Sequence, residues 1–288
     1  MSKYDELYNK IRKEIISGQL ISGARLPSVR KAAILYGVSR TTVQNAYFAL
    51  AAEAHPLPTA VLSNQTGYSS FAKVDLTEYL APFFNEWNKL GVSFDGILTG
   101  YFSDEKQIDA VLEFTKKTDA LLLVDPVMGD SGQRYKGFSD SLCSKVKQLA
   151  LSADIVTPNL TELYLLTGEH DIKKGTEILL ESGVSAVVVT GINKNNEIGN
   201  AVFEKGRSEE YFAHYSEGSF SGTGDMLSSI VMGKLLSGSD VFDAVKTATY
   251  FISFVIKNSD VHNRNDGVDF EKYLYRLGLE QNENQEKK

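Results

Sequence analysis

A single cysteine, Cys143, leaves this 288-residue chain with no internal disulfide. No apolar run reaches the ~18 residues that a membrane-crossing helix needs. The first residues, MSKYDELYNKIRKE, are charged and amphipathic, where a secretory signal would be apolar. No repeat of about 20–50 residues is visible, which sets aside solenoids and propellers. These absences describe a cytoplasmic protein.

What is present is a globular composition: 42% hydrophobic and 23% charged residues, too apolar for a disordered chain. The length suits one α/β domain with a small extra module. The net charge of −7 is unevenly spread, because residues 1 to 54 hold eight Lys/Arg against four Asp/Glu. A basic amino-terminal module therefore precedes a strongly acidic body, a pattern that fits a small nucleic-acid contact surface beside a soluble enzyme.

From Tyr4 the apolar residues Leu7, Tyr8, Ile11, Ile15 and Ile16 recur at helical spacing and stop before Ser17-Gly18. GARLPS is a turn, and Ser28 can cap a second helix through Tyr36. GVSRTTVQNAYFAL turns at Gly37 and opens a third helix capped at Ser39. Three short helices with a glycine turn between the last two make a helix-turn-helix. Beyond residue 54 the texture changes. PTAVLS, FDGILTG, ALLLVDPV, ADIVTPN and SAVVVTG have strand length, and they alternate with LTEYLAPFFNEWNKLG, DEKQIDAVLEFTKKT, SLCSKVKQLALS and KKGTEILLESG. That rhythm predicts a mainly parallel sheet with helices on both faces. NAVFEKGRSEEYFAHYS reads as a hairpin, helices follow from about Asp225 and Val241, and the polar tail 281–288 is expected to be disordered.

SFSGTGDMLSS carries the most chemistry. Gly222 and Gly224 permit a tight turn with outward N–H groups, and a helix starting near Asp225 adds its positive end, so the turn suits phosphate. Asp225 could take the proton of an attacking alcohol. Taken alone, G-x-G-D is more often a glycine turn with an Asp helix cap. LLLVDPVMGD sets Asp125 at the carboxyl end of a strand, with Asp130 five residues on, and ADIVTPNLTEL delivers Thr157, Asn159 and Glu162 likewise. Acidic groups gathered at one rim repel unless a cation shares the site, and oxygen ligands favour Mg²⁺. Each motif alone could be a polar loop or a helix cap.

DPVMGD, TPNLTEL, VVVTG and SGTGD, in that order, resemble the pyridoxal kinases of the ribokinase superfamily over about residues 55 to 278, and PLPTAVLSNQTGY with DGILTGY is similar to their substrate side. The resemblance implies a ribokinase-like α/β fold that uses ATP and Mg²⁺ to phosphorylate the 5′-hydroxyl of pyridoxal or a related B6 vitamer, as a homodimer. It implies that Asp225 is the base and that the Gly222-Thr223-Gly224 backbone forms the anion hole. Asp130 and Glu162 would hold Mg²⁺, with Asp125, Thr157, Asn159 and Thr190 near the nucleotide phosphates and Tyr135 in a loop over ATP. Ser63, Thr66 and Tyr101 would line the vitamer pocket, and Gln65 replaces the histidine that many relatives carry in SNHTG.

YNKIRKEIISGQLISGARLPSVRKAAILYGVSRTTVQNAY resembles the winged-helix domain of GntR-type repressors, in particular the MocR branch that regulates pyridoxal phosphate metabolism. By that resemblance Arg30, Ser39, Arg40, Thr41 and Thr42 would touch DNA, with the third helix in the major groove. The β-hairpin wing that should follow Leu50 is absent, and the helix-turn-helix stands where the kinases have their first strand, a glycine loop and a substrate-contacting serine. The expected organisation is a wingless DNA-binding module over residues 1–54 and a kinase body over 55–280 that lacks its first strand. Two functions follow: a B6-vitamer kinase, and a DNA-binding regulator that uses the kinase body as a sensor.

Overall fold

The computed structural model describes residues 3–16, 35–36, 54–63, 70–195, 197–214, 220–259 and 267–278. The chain divides into two compact units, Met1–Pro56 and Leu57–Lys288. In the first, α1 (Lys3–Ile16) buries Leu7 and Ile11, one turn apart on the face that the sequence periodicity marks. Lys10 places its amine 5.0 Å from the ring centre of Tyr36. Most of the helix expected from Ser28, the whole helix expected from Ser39, and the candidate DNA contacts Arg30, Ser39, Arg40, Thr41 and Thr42 lie outside the described residues, as does the tail 281–288.

The second unit opens with a ribbon, β1 (Ala60–Leu62) and β2 (Lys73–Asp75), followed by α2 (Thr77–Leu90), β3 (Gly96–Thr99), α3 (Glu105–Thr115) and β4 (Leu121–Val124). A second ribbon, β5 (Gly129–Asp130) and β6 (Gln133–Arg134), precedes α4 (Asp140–Ala150), β7 (Ile155–Val156), α5 (Leu160–Thr167), α6 (Ile172–Glu181) and β8 (Ala186–Lys194). Then come β9 (Glu197–Glu204), β10 (Arg207–His214), α7 (Thr223–Leu236), α8 (Val241–Asn258) and a 3₁₀ helix, Glu271–Gly278.

The main sheet runs β10-β9-β8-β7-β4-β3, parallel from β3 to β8 and antiparallel through the β9–β10 hairpin. Alternation along β4 sends Leu122 and Val124 into one core and Leu123 into the other. The first core is closed by α2 to α6, and the second by α7 and α8. Helices cover both faces, and every parallel strand therefore ends on the same rim.

Three local features differ from the sequence expectation. PTAVLS does not join the main sheet: β1 pairs antiparallel with β2, whose residues Lys73, Val74 and Asp75 are all exposed. LTELYLLT, read as part of a phosphate motif, is the helix α5, and DPVMGDSGQRY contains the β5–β6 hairpin. Among the described residues β3 is the last strand of its sheet, paired only with β4.

Candidate active site

The rim formed by the carboxyl ends of β3, β4 and β7 collects Tyr101, Asp125, Thr157 and Asn159, and the first turn of α7 faces it. Gly222 is the amino-terminal cap of α7 at φ 85°, a conformation that glycine adopts without a Cβ clash. Thr223 donates from Oγ1 to the Phe220 carbonyl at 3.0 Å, which tightens this turn. A Cβ built on Gly224 would lie 3.9 Å from Asp125 Oδ2, so the glycine turn and the β4 carboxylate are immediate neighbours. Asp225 sits in that first turn and is exposed to solvent.

A hydroxyl chain links the elements. Thr157 Oγ1 lies 3.2 Å from Ser228 Oγ, and Ser228 Oγ donates to Asp125 Oδ2 at 3.3 Å. With Ser228 donating to the carboxylate, Thr157 is the donor to Ser228. Nothing in the motif spacing marks Ser228. It stands one helical turn beyond Asp225 and so shares its face, which is the signal that could have found it.

Glu162 is 4% exposed and accepts from Met128 N at 3.1 Å and Asn159 N at 2.9 Å. Asn159 returns the bond by accepting from Glu162 N at 2.9 Å, a complete capping box for α5. Asn159 Nδ2 also donates to the Gly129 carbonyl at 2.8 Å and so anchors the β5–β6 hairpin. Thr190 N donates to the Pro158 carbonyl at 2.9 Å, with Thr190 bridged to Asn159. Thr161, also absent from the sequence reading, accepts from Gly132 N through Oγ1 at 2.8 Å.

Burial dominates the electrostatics of the rim carboxylates. Burial, and secondarily the charge of Asp225, push the Asp125 carboxyl up to about 7 against the bond from Ser228. Burial and then the charge of Asp125 push Glu162 up to about 8, opposed by the backbone N–H groups of Asn159, Met128 and Gly129. Partial burial of its carboxyl also raises Asp225, although the residue as a whole lies open to solvent. Among the described residues no Lys or Arg acts on Asp125 or Glu162, whose carboxyls are raised secondarily by the charges of Asp225 and Asp125. Among the described residues no group of three His, Cys, Asp or Glu could hold a metal ion. A divalent ion at this rim would need further oxygen ligands beside these carboxylates, of the kind that phosphate and water supply to Mg²⁺.

Of the two expected Mg²⁺ residues, Glu162 belongs to this cluster, and the carboxylate whose charge acts on it is Asp125. Asp130, partly buried on β5, accepts from Ser131 N at 2.7 Å. On the other side of the rim, Tyr101 and Tyr135 meet the same buried ring: Phe138 is edge-on to Tyr101 at 5.9 Å and to Tyr135 at 6.3 Å between centroids. Ser63 closes the β1–β2 ribbon, its Oγ accepting from Ala72 N at 2.8 Å. Gln65 and Thr66 lie outside the described residues.

A glycine turn on a helix amino terminus, an accessible aspartate beside it and buried carboxylates behind it, all on the rim of an α/β sheet, define a phosphoryl-transferring protein. The chain belongs to the phosphomethylpyrimidine kinase family, whose model matches residues 47–268. Residues 3–55 match the model of the gntR family of bacterial regulatory proteins. Among curated relatives, the pyridoxal kinase of Dictyostelium discoideum is 28% identical over 264 residues, covering 81% of this chain and 85% of the relative. That of Arabidopsis thaliana is 32% identical over 202 residues, 62% of this chain and 63% of the relative. The crystal structure of pyridoxal kinase from Lactobacillus plantarum is similar at TM-score 0.73 and 29% identity, covering 79% and 86% of the two chains. A Bacteroides thetaiotaomicron protein assigned as a phosphomethylpyrimidine kinase and crystallised with pyridoxal matches at TM-score 0.73 and 33% identity, covering 78% and 85%.

Proposed function

We propose that the chain is an ATP- and Mg²⁺-dependent kinase that phosphorylates the 5′-hydroxyl of pyridoxal or a related B6 vitamer. The observation that carries the reading is the pairing of an exposed Asp225 with the Gly222–Gly224 turn at the start of α7, against Asp125. The outward N–H groups of that turn and the positive helix end receive the phosphoryl oxygens of ATP. Asp225 takes the proton of the vitamer hydroxyl as its oxygen bonds to the γ-phosphorus, and the bond to the ADP oxygen breaks. The Thr157–Ser228–Asp125 chain keeps the Asp125 carboxylate fixed beside the turn. Mg²⁺, when bound, neutralises charge on the phosphate oxygens; Glu162 and Asp125, with Asp130 on the adjoining hairpin, are the residues available to hold it. Tyr101 is a wall of the vitamer pocket, with Ser63 on the ribbon side and Thr66 assigned to the same pocket by sequence, and Tyr135 lies over the nucleotide. A homodimer and a cytoplasmic location belong to the same reading.

The test is turnover of pyridoxal with ATP and Mg²⁺, followed by Asp225→Asn. Loss of a general base lowers kcat by ~10²–10⁴, while Mg–ATP should still raise the melting temperature of the variant as it does the wild type. A variant that keeps more than about a third of wild-type turnover removes Asp225 from this role.

The gntR match over residues 3–55 favours a second reading, a DNA-binding regulator in which the body senses a vitamer or nucleotide without turning it over. Retention on MocR-type operator DNA, together with no turnover, would select it.

A further inference from the structure

The vitamer side of the site is held by very little apolar packing. The β1–β2 ribbon is three residue pairs long, and its central pair, Val61 opposite Val74, is 55% and 59% exposed. Hydrophobic burial cannot fix the direction of such a ribbon. A polar clamp stands at its base. Gln107 is completely buried on the first turn of α3. Its Oε1 accepts from Ser103 N at 2.9 Å, and its Nε2 donates to the Thr59 carbonyl at 2.8 Å, to Thr77 Oγ1 at 2.9 Å and, longest, to Ser103 Oγ at 3.1 Å. Thr59 precedes β1 and Thr77 follows β2, so one amide grips both strands at the base of the ribbon. The same Thr59 donates from Oγ1 to the Tyr101 carbonyl at 2.8 Å, and Ser103 Oγ donates to Asp75 Oδ2 at the end of β2.

We propose that Gln107 is a positioning residue for the vitamer half of the site, fixing the β1–β2 ribbon and Tyr101 in one frame without touching substrate. The assignment of that half to a B6 vitamer rests on the function proposed above. A buried amide has two hydrogens and an acceptor: here the oxygen serves the start of its own helix at Ser103, while the nitrogen reaches Thr59 and Thr77, far away in sequence, which a merely helix-capping glutamine would not do. Among the described residues no side-chain hydrogen bond joins this network to the side chains of Asp125, Thr157, Asn159 and Glu162, which are held by Ser228 and the α5 capping box. The two halves are therefore separable by substitution.

Gln107→Leu keeps the volume and removes the bonds. It is expected to raise the pyridoxal KM about tenfold, the effect of one or two lost hydrogen bonds, while the ATP KM stays within about twofold. Amide exchange should speed up at residues 59–63 and 73–77 and stay unchanged at 121–125 and 155–162. Thr77→Val removes one acceptor at lower risk to folding and should give a smaller change of the same kind. Gln107→Glu loses the amide donors while its carboxyl is ionised and regains one when protonated, so its pyridoxal KM should fall back toward wild type as the pH is lowered. Equal rises in both KM values, or unchanged exchange in the ribbon of both Gln107→Leu and Thr77→Val, would overturn the proposal. If the wild type turns over no vitamer, the kinase reading fails, and the exchange measurement still decides whether Gln107 holds the ribbon.

Discussion

Asp125 and Glu162 set how the protein responds to pH. Burial holds them at about 7 and about 8, above the ordinary 3.8 and 4.5, so the folded state prefers them protonated. Their contribution to stability is complete below about pH 4 and is lost as the pH rises through about 7 and 8. At ~1.4 kcal/mol per pKa unit the change amounts to a few kcal/mol. Without nucleotide, the melting temperature should fall between about pH 5 and pH 8, and Asp125→Asn and Glu162→Gln should each flatten the decline. Mg–ATP favours the ionised forms, so its binding should expel protons in the same window. Calorimetry in buffers of different ionisation enthalpy measures this directly. Binding with no proton release would show that neither carboxylate faces the bound ion. At this scale the sequence was legible where a side chain ends a strand: Asp125, Thr157 and Asn159 all stand on the expected rim. Ser228 was not, because a serine in MLSSIVMG reads as filler in an apolar helix.

Among the elements, long ones announce themselves and short ones do not. Helices α2, α3, α4, α6 and α8 follow the apolar period of the sequence, because each has one face in a core and one in water. Helix α5 has only eight residues and buries Thr161 and Glu162 along with Leu163 and Leu166, so no polar face remains to give it a period. Strands of two or three residues, such as β2, β5 and β6, carry no alternation at all. Lys73 and Asp75 come from a charged stretch that no strand pattern selects. What holds α5 is its capping box, and this makes a specific expectation. Asn159→Ala removes the cap and the bond to the Gly129 carbonyl together. The cap alone is worth ~0.5–2 kcal/mol, a fall of about 2–4 °C in melting temperature per kcal/mol for a domain of this size. Because the β5–β6 hairpin carries Asp130 and leads to Tyr135, Mg–ATP affinity should drop as well, with pyridoxal binding little changed. A loss confined to stability would mean that the hairpin does not approach the nucleotide.

For the whole molecule the question is whether its two units speak to each other. The family models overlap at residues 47–55, so no spacer separates the gntR match from the kinase match. Charge divides along the same line: residues 1 to 54 are net basic, and the remainder carries more than the whole of the −7 net charge. DNA drawn to the basic module meets repulsion from the acidic remainder of the chain, and a module limited to residues 1–54 would neutralise only a few phosphates. Each phosphate contact contributes ~0.9 to the salt slope, so retention on operator DNA should be weak, confined to low salt, and reduced further by Arg40→Ala. Coupling between the sites is the sharper measurement. If the body is an enzyme that has merely acquired a module, saturating pyridoxal and Mg–ATP leave DNA affinity unchanged. If it is a sensor, linkage requires DNA and ligand to change each other's affinity by the same factor, typically about 5–150-fold. Titrating DNA at low salt with and without both ligands, and then each ligand with and without DNA, reads the factor from both directions. Equal, non-unit factors would establish a regulator. Factors of one, beside pyridoxal turnover, would leave the kinase as the working half.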